Sequence, residues 1–253
     1  MKKIKRIYNF RPQNGDFRDY EYTPKPETLA SLPNNVDLRP LMPPIYDQGQ
    51  LGSCVSNSTA GVVEFELMKQ KSSVIMPSRL FIYYNGRVLE GTVKQDSGLQ
   101  VRDGIKVVVK QGVCPEPEWP YTISKFKTKP TTKCYKDALQ DVILQYQAVP
   151  QTLASIQACL AEGYPVVMGF SVYSSFESDA VTSTGIVPLP AKNESLLGGH
   201  SVDIVGYDNP SQRYIVRNSW GTSWGMAGYF TVPYTYFNNA KLASDFWMVT
   251  SVK

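Results

Sequence analysis

The 253-residue chain has a single histidine, and its four cysteines, at 54, 114, 134 and 159, include no Cys-x-x-Cys pair. That scarcity argues against a zinc site, and neither a metal nor a cofactor is expected. No run of about 18 apolar residues occurs, so a membrane-spanning helix is not expected. The basic start Met1-Lys2-Lys3-Ile4-Lys5-Arg6 would suit a signal peptide, but Ile7-Tyr8-Asn9-Phe10-Arg11 follows with no apolar core. The compartment is left open, between the cytoplasm and delivery without a signal peptide. Net charge is scarce too, because the formal +4 resides in the first six residues and 22 cations face 22 anions beyond them. A second basic cluster, Lys125, Lys127, Lys129, Lys133 and Lys136, sits in a Thr/Pro-containing stretch without stacking aromatics. It is read as a solvated loop, and no nucleic-acid partner is expected.

What is present is enough apolar residue, 42%, to build a real core. Residues 1–32 carry Pro12, Pro24, Pro26, Asn14 and Gly15 among the aromatics Tyr8, Phe10, Phe17, Tyr20 and Tyr22, which reads as an extended leader. The main body is assigned to 33–253, with a helical part at roughly 43–145 and a strand-rich part at roughly 146–246. Helical periodicity is seen from Cys54 to Gln70, from Pro77 to Asn85 with Gly86 as its stop, from Leu99 to Gln111 before Gly112, and from Thr152 to Glu162 before Gly163. In the last of these, Leu153, Ile156, Cys159 and Leu160 form the apolar phase. Short apolar runs at 165–172, 200–207, 213–218 and 229–232 read as strands. The fold class is therefore α+β, helices packed beside a sheet or barrel with a cleft between them.

Cys54 falls at a helix N-terminus behind the loop Gln48-Gly49-Gln50-Leu51-Gly52-Ser53, where the helix dipole favours a thiolate. Imidazole is the side chain whose ordinary titration range suits thiol chemistry near neutral pH, and His200 is the one candidate. Between the strands that follow, Tyr207-Asp208-Asn209-Pro210-Ser211 is turn chemistry. A hairpin centred on Asn209 would set Asn218 directly opposite His200, where its side-chain carbonyl could fix the ring. The backbone N–H of Cys54 and the side-chain amide of Gln48 supply two donors for an oxyanion. Trp220, two positions after Asn218, would shield the His200–Asn218 hydrogen bond from water.

Gln48-Gly49-x-x-Gly52-Ser53-Cys54, Gly199-His200 leading into Val205-Gly206-Tyr207, and Asn218-Ser219-Trp220-Gly221-x-x-Trp224-Gly225 together resemble the papain-like cysteine peptidases. In that family His and Asn follow the cysteine by about 130–150 residues; here they follow by 146 and 164. The likeness extends over Pro33-x-x-Val36-Asp37-Leu38-Arg39 and Trp119-Pro120-Tyr121. It implies a helical left lobe, an antiparallel β-barrel right lobe, and a polypeptide substrate lying extended in the cleft between them. Cys54 would be the nucleophile, His200 the general base and acid, Asn218 its orienter and Gln48 an oxyanion donor. Gly98 would contact substrate backbone, while Gly169 and Ser244 would line the pocket for the second residue before the scissile bond, with Trp220 beside them in the substrate-binding set.

The sequence also departs from the family. Leu51 stands where the family's Cys-Gly-Ser-Cys-Trp has its first cysteine, and Asp96 takes the place of that cysteine's disulfide partner. Such a loss suits a reducing compartment, or a loop held by other means. Cys114 and Cys134 are left as a pair only if their alpha carbons come within bonding distance. One histidine excludes the two-histidine loop of carboxydipeptidase relatives, so endopeptidase action is expected. The short leader is expected to contact the cleft, as in a zymogen. Two alternatives stand beside the peptidase reading: a catalytically silent peptide-binding module, and a thiol acyltransferase or transpeptidase.

Overall fold

The structure is a computed structural model and describes residues 6–71 and 74–253. The chain enters through an extended leader containing the short helix α1 (Pro26–Ala30), and strand β1 (Asn35–Asp37) opens the main body. Four helices follow: α2 (Cys54–Lys69), α3 (Arg79–Leu89), α4 (Val101–Gln111) and α5 (Thr132–Ala138). The second half holds β2 (Ile143–Ala148), α6 (Leu153–Ala161), β3 (Val166–Tyr173), α7 (Asp179–Thr184), β4 (Leu196–Asp208), β5 (Arg213–Arg217), β6 (Tyr229–Pro233), α8 (Tyr234–Phe237) and β7 (Ala243–Val252).

All strand pairs are antiparallel, in the order β2-β7-β3-β4-β5-β6, with β1 added to β4. Among the described residues this path does not return on itself. The expected α+β arrangement is present, but its barrel is an open sheet. Two buried clusters form the core: one on the sheet side around Phe170, Ile204, Tyr214 and Phe230, the other on the helix side around Val55, Phe81, Leu99 and Ile105.

Helix α2 lies between them and is buried on every side from Cys54 to Leu67. A helix enclosed this way must satisfy its polar side chains internally. Ser56 and Asn57 donate to the Ser53 carbonyl at 2.9 Å, and the Ser58 hydroxyl meets that of Ser201 on β4 at 2.9 Å. The nucleophile candidate thus begins a helix locked to the strand that carries His200.

Several local expectations are corrected. Gly86 does not end α3, which runs on to Leu89; its missing Cβ instead lets Leu99 pack against the helix, where a Cβ would stand 2.6 Å from a Leu99 methyl. The stretch read as a basic loop contains α5, capped by the Thr131 side chain accepting from Cys134 N–H. Leu153 at the start of α6 is exposed, whereas Ile156, Cys159 and Leu160 are fully buried. Strands β2 and β7 both lie outside the runs that read as strands in the sequence.

The hairpin forms with a different register. Asp203 pairs with Arg217 and Asp208 with Arg213, and an irregularity lies between Ile204 and Gly206. Extended by one residue, this ladder sets Asn218 opposite Val202 and not opposite His200. Because strand side chains alternate with period two, His200 still shares a face with Asn218 as its diagonal neighbour. The extra residue of the bulge changes the pairing beyond it by one position.

Candidate active site

The candidate site is built where α2 meets β4. Asn218 Oδ1 lies 2.9 Å from His200 Nε2 and also accepts from the backbone N–H of Ser219 at 2.8 Å. An amide oxygen holding Nε2 requires the proton there, so the lone pair sits on Nδ1. That nitrogen is buried and has no hydrogen-bond partner. Trp220 stacks on the imidazole at a centroid separation of 5.0 Å and an interplanar angle of 29°.

Cys54 is fully buried at the first position of α2. The backbone N–H groups of Ser201, Val55 and Cys54 itself favour its anionic form, yet burial dominates and pushes the thiol up to about 11. Burial also drives His200 down to about 4; the Asn218 bond opposes the fall and the Arg6 guanidinium adds to it. In this covered state burial thus opposes both the thiolate favoured by the helix dipole and the imidazolium, because each charged form would lose its water.

Gln48 is held at both ends of its amide. Its Nε2 donates to the Leu51 carbonyl at 3.0 Å, its Oε1 accepts from the Ser219 hydroxyl at 2.6 Å, and its backbone N–H donates to the Ser219 carbonyl at 2.9 Å. An amide nitrogen carries two hydrogens, so one remains free to meet an oxyanion. Ser219 was not singled out in the sequence, although it sits inside the Asn218-Ser219-Trp220-Gly221 motif. It joins the His200 orienter to the Gln48 donor. Tyr121 is a second omission: its hydroxyl donates to the Gln48 carbonyl at 3.0 Å and touches the Ser53 hydroxyl just ahead of Cys54.

Asp96 does by hydrogen bonding what the missing disulfide would do. Both of its carboxylate oxygens accept from Gly52 N–H at 3.0 Å, and Tyr83 donates to it as well. The loop before α4 is thereby tied to the loop before Cys54 without sulfur. All four cysteines are free.

The leader crosses this site. Asn9 forms a parallel bridge with Gly199, Phe10 N–H donates to the Gly199 carbonyl at 2.9 Å, and the Asn9 side chain donates to the Asp96 carbonyl at 2.5 Å. A Cβ on Gly98, whose φ is +72°, would collide with the Asn9 backbone, and one on Gly169 would collide with the Phe10 ring. Ser244 is the cross-strand partner of Gly169 on β7, with its hydroxyl turned to Asp245 at 2.6 Å. Tyr8 packs edge-on against His200 and donates to Glu177 at 2.6 Å. Of the other leader aromatics, Tyr22 is buried in the sheet-side cluster, while Phe17 is 99% and Tyr20 81% exposed.

Comparison with known proteins places these features in a wider set. The family described as papain family cysteine protease matches residues 32–250. Xylellain, a cysteine protease from Xylella fastidiosa, superposes with a TM-score of 0.92 at 45% identity, covering 97% of this chain and 96% of the other. An uncharacterised peptidase C1-like protein of Acanthamoeba polyphaga mimivirus is 44% identical over 81% of this chain and 69% of its own length. Cysteine proteinase 3 of Entamoeba histolytica is 28% identical over 90% of this chain and 74% of its own. The digestive procathepsin L 3 of Tenebrio molitor, 21% identical, shares the fold at a TM-score of 0.75, covering 96% of this chain and 76% of the other. Among the described residues, no helix is long and apolar enough to cross a membrane.

Proposed function

Because the chain belongs to the papain family of cysteine proteases, hydrolases that act on polypeptides, we propose that it is an endopeptidase with Cys54 as nucleophile. His200 Nδ1 takes the thiol proton, and the sulfur attacks the scissile carbonyl. The oxyanion is met by the Cys54 backbone N–H and the free hydrogen of Gln48 Nε2. The imidazolium then gives its proton to the leaving amine, and His200 activates the water that hydrolyses the thioester. Asn218 keeps Nδ1 aimed throughout by holding Nε2–H. The observation that carries this reading is the 2.9 Å His200–Asn218 bond with Nδ1 left unpartnered. Gly98, Gly169, Ser244 and Trp220 are assigned to substrate binding because the leader fills the positions beside Gly98, Gly169 and Trp220, and Ser244 adjoins Gly169.

The same contacts support a restraining role for the leader. A substrate would place the second residue before its scissile bond at Gly169 and run towards His200 in its N-to-C direction. The leader has Phe10 at Gly169 and Tyr8 at His200, so it runs the other way and presents no bond in the productive direction.

An epoxide-type thiol-peptidase inhibitor and a set of fluorogenic peptides test the assignment together. The expected adduct is on Cys54, slow in the full chain and faster when Phe10 is replaced, and turnover is expected to vanish with Cys54→Ala. Labelling confined to Cys114, Cys134 or Cys159 would overturn it. Labelled Cys54 without hydrolysis would favour the silent peptide-binding module. Products joined to an added amine would favour acyl transfer.

A further inference from the structure

The cleft does not end at His200. Beyond it, on the side opposite Gly169, the leader places a cation on an aromatic face. The Arg6 guanidinium lies 4.8 Å from the Trp220 ring centroid, and its Nη1 is 3.5 Å from Asp47 Oδ1. The Arg6 side chain is only 11% exposed, although it belongs to an extended leader.

Both partners are also held by contacts that do not involve Arg6. Trp220 stacks on His200 and packs edge-on against Phe176 and Trp224. Asp47 bridges to Trp220 through the backbone, and its Oδ1 accepts from Gly49 N–H at 2.8 Å. The carboxylate and the indole face are thus held side by side. Stacking on a ring and attraction to a carboxylate do not depend on the direction of the main chain that delivers the cation. Hydrogen-bonded strand pairing does, which is why the reversed leader can report on side-chain recognition here while it cannot report on backbone pairing. A planar guanidinium suits the indole face better than a compact, strongly hydrated ammonium.

We propose that Trp220 and Asp47 form a subsite on the leaving-group side of the cleft that takes an arginine side chain of the polypeptide substrate, with Arg6 as its intramolecular occupant. This rests on the assignment of Cys54 and His200 as the cleavage centre, which fixes the side on which Trp220 lies. The 22 cations and 22 anions beyond the first six residues cancel. The attraction is therefore local, and no overall charge draws basic peptides in.

The test uses the full-length chain carrying Cys54→Ala, Arg6→Ala and Phe10→Ala, so that nothing is cleaved and the leader is weakened at two anchors. Its affinity is measured for three dye-labelled peptides that differ in one residue after the scissile position: arginine, citrulline or alanine. Citrulline keeps the planar shape and removes the charge. The arginine peptide is expected to bind about tenfold more tightly than the citrulline one. Adding Asp47→Asn should reduce that preference to within about twofold. Equal affinities, a preference that survives Asp47→Asn, or no binding of any peptide would overturn the subsite. Turnover of the same peptides by the chain that retains Cys54 reads the peptidase assignment separately. Selective binding without hydrolysis would count against the peptidase and leave the subsite standing.

Discussion

Cys54 and Cys159 are both fully buried thiols pushed upward by burial, yet their surroundings have opposite polarity. Around Cys54 the backbone N–H groups of Ser201 and Val55 favour a negative sulfur. The Cys159 sulfur lies 3.5 Å from the Tyr164 carbonyl and 3.6 Å from the Met248 sulfur, acceptors that share its one S–H, and the nearby Glu162 and Glu66 disfavour its anion while Lys69 favours it. What covers them differs as well. Cys159 lies in the sheet-side core, whereas Cys54 shares the helix-side cluster with Phe10 of the leader, which main-chain pairing at Gly199 and side-chain contacts hold in place. On the proposed assignment of Cys54 as nucleophile, burial alone does not distinguish an inert thiol from a reactive one. The polarity of the neighbours and the removability of the cover do.

The sharpest break of this comparison is deletion of each sulfur in turn. Cys54→Ala should lower kcat/KM by about 10⁴-fold or more, because no other group can form the acyl intermediate. Cys159→Ala should leave turnover within about twofold and lower thermal stability by about 1 kcal/mol, the cost of a small cavity. A large loss of turnover in Cys159→Ala with an unchanged melting temperature would contradict the distinction. Next in size is Gln48→Ala, which removes a donor that only the Cys54 site possesses. A fall in kcat of about 10²- to 10³-fold with little change in KM is expected. An equal rise in KM would show that Gln48 serves ground-state binding instead.

The cover is tested by Phe10→Ala against Phe17→Ala. Phe10 is buried against Gly169 and Phe17 is fully exposed. Losing the buried ring should weaken leader docking by about 3 kcal/mol and raise the epoxide labelling rate of Cys54 by up to about a hundredfold. Phe17→Ala should not change it, and Cys159 should stay unlabelled in both. Equal effects of the two substitutions would mean that the leader acts through its bulk and not through its seat in the cleft.

Much of this site is legible in the sequence because its residue types are few and their motifs short. Cys54, His200, Asn218 and Gln48 can be singled out from their chemistry and motifs; in the fold His200 meets Asn218, and Ser219 connects Asn218 to Gln48. The pairing between them cannot be read so directly. The bulge near Val205 shifts the β4–β5 ladder by one residue without any residue that announces it; continued without it, the pairing from the turn would set Asn218 opposite Asp203, on the other face from His200. Ser219 is an ordinary serine until the fold places Gln48 beside it. Likewise Phe10 and Phe17 are equivalent in composition. Their fates are decided by Gly169, about 160 positions away in sequence, which no local pattern connects to the leader. Strand β7 escaped for a related reason: its buried and exposed residues do not alternate regularly, since both faces meet other parts of the molecule.

The smallest effect concerns pH, and it separates the two thiols by their partners. His200 is lowered from its ordinary 6.5 to about 4, chiefly by burial. A group depressed in the covered state contributes stability that is present above its free value and is lost as pH falls towards the lowered one. Docking of the leader should therefore weaken as pH falls from about 6.5 to about 4. Two carboxyls also touch the leader: Glu90, which holds Arg11, and Asp245, which accepts from Gln13 N–H, are raised overall by burial, but these leader contacts lower them and so favour docking when they are ionised. The histidine contribution is isolated by comparing hydrogen exchange at the Phe10 amide, corrected for intrinsic rates, in Cys54→Ala and in Cys54→Ala with His200→Gln. Between pH 7 and pH 5 the protection of Phe10 should drop about tenfold further in the chain that keeps His200. Cys159 has no imidazole beside it, so the amides around it should keep their protection over the same range. Parallel loss in both regions would mean that acid loosens the whole fold, and Cys54 would then differ from Cys159 in its neighbours but not in the independence of its cover.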